Sequence, residues 1–433
     1  MPTIEETYNT SASPWSTPPA RASFFPPVEA ISIADIFCLF VPVFQFVQFQ
    51  AAGSLLLSDL LILAALPMAI ARHAPRLRQK PMPILLALGL FWLIAQITTD
   101  LIRNTPPEDY FRGWLKICFV LANFTVVWLV VCTSQRRFVL YGVGLAIGTL
   151  LSFYMHPSED ALSAPWKFGI GIPVTMLVAL FAAQFRKHRY LGILLPLTLL
   201  AVVHAFEDFR ILAVISFISA IYSLFLMSAN REQFGRSRLA LLALTVAGGI
   251  MAFTVVYSHY AELGVFGEYA QQKLEAQSGE GGLLLGGRSE ILASGPAILD
   301  SPLLGHGSWA RDSTYGAILV DRRADLGYKS FQSGKSDDLI PTHSYLFGSW
   351  VDAGVMGGVF WLFMLGFTLK TILSASGTEP LLPLFAFLGL MLSWDTLFSP
   401  LGTPTRFVAP YFMAAMVVLR SFRTTTPSFE QVS

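Results

Sequence analysis

Apolar residues recur in long, nearly unbroken runs that alternate with short polar connections, the pattern of helices buried on every side rather than on one face. Crossing a hydrocarbon layer of about 30 Å takes about 20 helical residues, and an exposed backbone has no water partners there. The runs are too long for barrel strands. They predict about twelve spans: Ile31–Phe49, Ser54–Ala71, Pro83–Ile102, Trp114–Cys132, Phe138–Tyr154, Phe168–Phe185, Leu191–Ala205, Ile211–Met227, Leu239–Tyr257, Ser349–Leu369, Leu381–Phe398 and Val408–Leu419. The expected fold is an all-α polytopic membrane protein with one large external loop containing short helices.

Basic residues set the expected orientation, because cytoplasmic loops retain Lys and Arg. Arg72, Arg76, Arg78 and Lys80 stand on one side, joined by Arg136 and Arg137, then Arg186, Lys187 and Arg189, then Arg231, Arg236 and Arg238. The intervening connections carry Glu108, Asp109, Glu159, Asp160, Glu207 and Asp208. Both termini are therefore expected in the cytoplasm. The expected organisation is a disordered tail at 1–30, spans one to nine over 31–258, an external loop over 259–343, spans ten to twelve over 344–420 and a second tail at 421–433. The Pro/Ser/Thr-rich start lacks the basic opening and cleavage site of a signal peptide.

Composition narrows the function classes. Of 433 residues, 54% are hydrophobic and 13% charged, about half the charged share of roughly 25% in soluble domains. A formal net charge of +1 gives no electrostatic footprint for nucleic acid. Three cysteines, Cys38, Cys118 and Cys132, sit in or beside predicted spans, so neither a disulfide framework nor a metal cluster is expected. Gly281, Gly282, Gly286 and Gly287 suggest a phosphate loop, but Gly287 and Arg288 stand where Lys and Ser or Thr belong. No Asp-x-Asp pair, His-Glu-x-x-His or Cys-x-x-Cys is present, so any glycosyl or phosphoryl transfer is expected to be metal-independent and to need no cofactor.

The remaining candidates are isolated groups at the external ends of spans. Arg210 follows Glu207 and Asp208, Arg288 opens a short helix, and His343 stands just before a span. A guanidinium is a permanent fork for phosphate oxygens, and an imidazole exchanges a proton near neutral pH. Together they suit holding a diphosphate and deprotonating a hydroxyl. The bland reading of each is an interfacial cation reaching water, which also covers Arg103, Arg112, Lys116, Lys167 and Arg406. His306, between two glycines, reads as a turn residue, while Asp352 and Asp395 fall inside predicted spans, where an acid must pair or line a cavity.

These positions carry a resemblance. Arg288-Ser289-Glu290-Ile291 leads to Pro302-Leu303-Leu304-Gly305-His306-Gly307, then His343-Ser344-Tyr345-Leu346 and Asp352-Ala353-Gly354-Val355-Met356-Gly357. In order, spacing and sidedness the chain resembles the O-antigen polymerase and O-antigen ligase superfamily of bacterial envelope glycosyltransferases. Arg210 matches an earlier arginine of that pattern. Ser344 stands where the pattern has Asn, Leu292 where it has an aromatic, and Phe209 where it has Ser.

The resemblance implies an enzyme of the bacterial inner membrane that transfers a glycan from undecaprenyl diphosphate to an acceptor hydroxyl at the external face. Arg210 and Arg288 would stabilise the departing diphosphate, and His343 would be the base; Gly305, Gly307 and Asp352 would contribute to substrate binding. The implied partners are the lipid-linked oligosaccharide donor, a glycan or lipid A-core acceptor, membrane lipids, and a chain-length regulator or flippase. Polymerase ranks ahead of ligase. A transporter or flippase without catalysis, and a membrane scaffold, are the alternatives from other classes.

Overall fold

The computed structural model describes residues 31–51, 53–188, 190–228, 248, 249, 251, 253–329 and 338–424. Seven helices among them are long and apolar enough to cross a membrane: Leu57–Arg78, Met82–Arg103, Pro107–Thr133, Gln135–Met155, Trp166–Phe185, Arg210–Ser228 and Val355–Leu373. The protein is thus a helical membrane protein. Each of the seven coincides with an expected span. Their regular cores are labelled α2 (Leu57–His73), α3 (Met82–Arg103), α4 (Pro107–Leu129), α5 (Gln135–Met155), α6 (Gly171–Ala182), α8 (Arg210–Ser228) and α14 (Val355–Leu373).

Three further expected spans form shorter apolar helices: α1 (Ile33–Val43), α7 (Leu195–Phe206) and α15 (Leu382–Phe398). Val408–Leu419 lies within α16 (Thr403–Thr424). The expected span Leu239–Tyr257 falls mostly outside the described residues.

Two runs break where a continuous helix was expected. The first apolar run does not stay helical to Phe49: β1 (Gln48–Ala51) pairs antiparallel with β2 (Gly53–Leu56). Gly53, at φ +117°, supplies a backbone conformation that other residues rarely adopt. The run from Ser349 is also interrupted. α13 (Tyr345–Ala353) ends at Gly354, φ +66°, before α14 begins, and a Cβ there would stand 2.1 Å from the Leu303 carbonyl oxygen.

Burial sorts the helices into a core and a periphery. α4, α15 and the middle of α16 are enclosed, with Phe124, Val126, Phe385, Phe387, Tyr411 and Phe412 almost inaccessible. α3 instead presents Leu90, Phe91 and Ile94, each more than half exposed, as expected of a lipid-facing side. Small residues permit close crossings. At Gly144 and Gly148, one turn apart on α5, a Cβ would lie 2.1 Å from the Leu39 oxygen and 2.3 Å from the Pro42 oxygen of α1. Asn123 is a polar tie across the bundle: it donates to the Phe407 carbonyl at 2.9 Å and accepts from the Tyr141 hydroxyl at 3.0 Å.

The two ends of the bundle differ. At one, Arg137 pairs with Asp35 at 3.2 Å, and Arg76 donates to the Cys132 carbonyl at 2.9 Å. At the other lie the starts of α4, α8, α13 and α16. Four helices join that end between 263 and 344: α9 (Glu268–Gln277), α10 (Gly282–Gly287), α11 (Ile291–Asp300) and α12 (Ser313–Asp325). They carry the candidate site.

Candidate functional site

Arg288 terminates α10 and Glu290 opens α11, so a tight connection presents both side chains together. The glycines rejected as a phosphate loop explain how α10 fits. A Cβ at Gly286 would meet the Gln277 carbonyl oxygen at 2.3 Å, so only hydrogen lets α10 pack against the end of α9. Arg323 of α12 secures the connection from behind by donating to the Ser289 hydroxyl.

His343 is positioned by its neighbour. Ser344 caps α13, its hydroxyl oxygen accepting from the Phe347 amide at 3.1 Å while donating to the Thr396 carbonyl of α15 at 2.8 Å. This serine thereby both starts the helix and fastens it to the core.

Arg288, Glu290 and His343 line one cavity of about 220 Å³, with Leu284 and Leu285 from α10, Ser294 from α11, Phe347 from α13 and Phe398 from α15. His343 Nδ1 lies 3.9 Å from Glu290 Oε1. The Arg288 guanidinium stands over the Trp394 ring at 5.7 Å, and its Nη1 donates to the Gly287 carbonyl at 2.9 Å. Arg288 Nε and Glu290 Oε2 are buried without a hydrogen-bond partner. An unmet buried polar atom costs about 1–3 kcal/mol, so two in one cavity mark a place arranged for something other than stability.

Arg210, first residue of α8, adjoins this cavity without lining it. Its Nη2 donates to Gln277 Oε1 at 2.7 Å, its Nε is 3.5 Å from Asp208, and its guanidinium covers the Tyr257 ring at 5.3 Å. Tyr257 donates to Asp208 at 2.7 Å, and Lys273 of α9 pairs with the same carboxylate. Arg210 and Arg288 are close enough to oppose each other's charge, and Lys273 joins them. Burial lowers the Lys273 pKa from its ordinary 10.5, against the pull of Asp208.

Beneath Tyr257 an apolar cavity of about 510 Å³ opens between α7, α8 and the helical stretch 253–262, lined by Ala205, Phe206, Ala213, Phe217, Phe253 and Tyr257 among others. A charged cluster therefore caps a hydrocarbon-like groove. The His343 imidazole is held below its ordinary pKa of 6.5 by burial, opposed by Glu290 and reinforced by Arg288 and Lys167. At neutral pH the ring is a base with its lone pair available.

Gly305, Gly307 and Asp352 stand elsewhere, at the far end of α13. Ser344 and Asp352 are separated by about 12 Å of helix at 1.5 Å per residue. The His306 and Gly307 amides donate to the Val351 and Asp352 carbonyls at 2.7 and 3.1 Å. A Cβ at Gly305, φ +82°, would lie 2.5 Å from the Gly354 nitrogen. The Pro302–Gly307 turn thus docks the loop onto the break between α13 and α14. His306 completes it with a 2.7 Å bond to the Ala297 carbonyl.

Asp352 pairs with Lys116 at 3.0 Å, and Lys116 also covers the Trp309 ring at 4.8 Å. Lys116→Ala is expected to destabilise the protein by about 3 kcal/mol, because it strands a buried carboxylate; the Lys116→Met/Asp352→Leu double variant recovers most of that. Thermal unfolding in detergent measures both, and an unchanged midpoint for Lys116→Ala would show that the pair is not stabilising.

Residues outside the expected site complete this region. The Asp100 carboxylate of α3 accepts from the Ser308 amide at 2.6 Å, the Ser308 hydroxyl at 2.8 Å and the Trp114 indole at 2.7 Å. Arg103 donates to Ser301 at 2.7 Å and to the Gly305 carbonyl at 2.9 Å. Arg406 is likewise no simple surface anchor, being ion-paired at 2.6 Å with the buried Asp59. A signal for Asp100 was present: Gln96 and Asp100 stand one turn apart inside an apolar run, where unpaired polar groups are costly.

No family model, curated protein or solved structure matches this chain.

Proposed function

We propose that the protein is a glycosyltransferase of the bacterial inner membrane that moves a glycan from undecaprenyl diphosphate to an acceptor hydroxyl at the external face. The observation that carries this reading is the cavity shared by His343, Arg288 and Glu290, with Arg210 and Lys273 beside it and an apolar groove beneath. A lipid diphosphate has the matching parts: a long hydrocarbon chain, then adjacent phosphates, then a reacting sugar.

In this mechanism His343 takes the proton of the acceptor hydroxyl as its oxygen bonds to the sugar's anomeric carbon. The bond from that carbon to the phosphate oxygen breaks, and its electron pair leaves on the diphosphate. Arg288 and Arg210 stabilise the charge that develops there. Energy comes from the donor itself, so no nucleotide is needed outside the membrane. The end with Arg76 and Arg137 is assigned to the cytoplasm, as are both termini, and 259–343 to the external side.

Polymerisation, with a second lipid-linked glycan as acceptor, is the first reading, and ligation to a lipid A-core sugar the second. Either role implies a flippase upstream, and polymerisation adds a chain-length regulator. Transport without catalysis has less support, because one of the two acids expected to line a pathway, Asp352, is paired with Lys116, while the other, Asp395, is buried beside Arg288.

The deciding experiment supplies purified protein with a defined undecaprenyl diphosphate oligosaccharide and each acceptor class in turn. Release of lipid diphosphate with glycan joined to one acceptor is expected. No transfer to any acceptor under conditions where the lipid binds would overturn the reading.

The acid limb of the pH–rate profile is expected below pH 6.5, because burial lowers the His343 pKa and activity is lost only when the ring protonates. Glu290→Gln removes the charge favouring the imidazolium and should move the limb further toward acid. A limb at or above 6.5 in the parent protein would contradict His343 as the base.

A further inference from the structure

The charges of the site do not balance. Asp208 and Glu290 face Arg210, Lys273, Arg288 and a fourth cation, Lys167, whose ammonium lies close enough to oppose the other three. The cluster stays positive even when Asp395, which faces Arg288, is counted.

Lys167 differs from its companions in what holds it. Arg210 is bound by Gln277 and Asp208, Lys273 by Asp208, and Arg288 by the Gly287 carbonyl. Among the described residues the Lys167 ammonium meets only the ring face of Phe168, at 4.7 Å.

The backbone beneath it is nonetheless firmly placed. Trp166–Ile170 forms a single π-helical turn at the entrance to α6, a widened turn that is rare and recurs at functional sites. The Trp166 indole donates to Nδ1 of His204, a fully buried histidine, at 2.8 Å. His204 Nε2 stands 2.9 Å from the Thr175 hydroxyl, which donates onward to the Gly171 carbonyl at 2.7 Å. An indole can only donate, so Nδ1 accepts, and the ring is the neutral tautomer with its proton on Nε2. On the other side Gly169 lies so near α5 that a Cβ would be 2.3 Å from the Phe153 ring. A lysine that no carboxylate among the described residues holds in an ion pair or hydrogen bond, with Asp208 acting on it only from a distance, thus rises from a turn pinned on both flanks.

We propose that Lys167 is a third phosphate-binding cation of this site, and that it supplies the discrimination between a lipid diphosphate and a lipid monophosphate. The inference rests on the lipid diphosphate reading given above. Arg210 and Arg288 offer planar forks to one phosphoryl group and the bridging oxygen. A second phosphoryl group adds oxygens that need another donor, and an ammonium with three rotatable N–H bonds meets them without a planar match. Trp166 and His204 are positioning residues, acting through the turn that carries Lys167.

The test titrates purified protein with farnesyl diphosphate and with farnesyl monophosphate. The parent protein should prefer the diphosphate, and Lys167→Met should weaken diphosphate binding about tenfold while changing monophosphate binding less than about twofold. Lys167→Arg should retain most of the preference. His204→Phe should reproduce the selective loss with Lys167 still present. If Lys167→Met binds the diphosphate as well as the parent, or loses both lipids in parallel, the proposal is wrong while the function can stand. If the parent binds neither lipid, the lipid diphosphate reading itself falls.

Discussion

Replacing Arg288 by alanine is expected to lower glycan transfer by about a hundredfold to a thousandfold, the usual cost of removing one preorganised charge from a developing anion. The protein should still insert and fold. Within the described residues the guanidinium is bound only by the neighbouring Gly287 carbonyl and the face of Trp394, so its loss breaks no hydrogen bond between distant elements and removes one ring contact with α15. Its Nε has no partner to strand.

Arg288→Lys should recover only part of the rate, since a point charge replaces a planar fork. A second signature belongs to this residue. Arg288 helps hold the His343 pKa down, so the residual activity of Arg288→Ala should show its acid limb at higher pH than the parent. Full activity in Arg288→Ala, measured as lipid diphosphate released, would remove the arginine from the mechanism.

The helices were legible because a lipid environment forces continuous apolar runs, and seven such runs became helices of spanning length. What the runs could not reveal was where they break. Nothing in the hydropathy of Gln48–Leu56 separates a hairpin from the end of a helix, and the cause is Gly53. The break at Gly354 is set by the Leu303 carbonyl, about fifty residues upstream, and no local pattern reports that contact.

The site divides along the same line. Arg210, Arg288 and His343 were visible because charge is scarce in this chain and each stands next to a helix end; Arg288, expected to open a helix, instead closes α10, and His343 precedes the Ser344 cap of α13. The structure seats Arg288 and His343 in one cavity with Arg210 adjacent, and sets Gly305, Gly307 and Asp352 at the opposite end of α13. Those three share a motif with the candidates and sit where the loop docks on the break between α13 and α14. Lys167, expected only as an interfacial cation, and Lys273 were not expected in the cluster for another reason. One depends on a π-helical turn, and the other on a carboxylate more than sixty residues away; neither leaves a trace in spacing.

The second large effect concerns His343. Alanine there is expected to reduce kcat by about a hundredfold to ten-thousandfold, the range for loss of a general base. KM for the lipid donor should change little, because the cations that meet the diphosphate remain. That split distinguishes the histidine from Arg288, whose loss weakens binding and rate together. Folding should survive: α13 is started by the Ser344 cap and tied to α15 through Thr396, and neither bond involves the imidazole.

Exogenous imidazole offers a direct check, since the cavity of about 220 Å³ is larger than the ring removed and leads to a side chain about a third exposed. Partial rescue of His343→Ala, increasing with the concentration of neutral imidazole, is the expected result. Unaltered kcat in His343→Ala would show that the acceptor proton goes elsewhere. Glu290 would then be the group to test, because its Oε2 is a buried acceptor of the cavity without a partner.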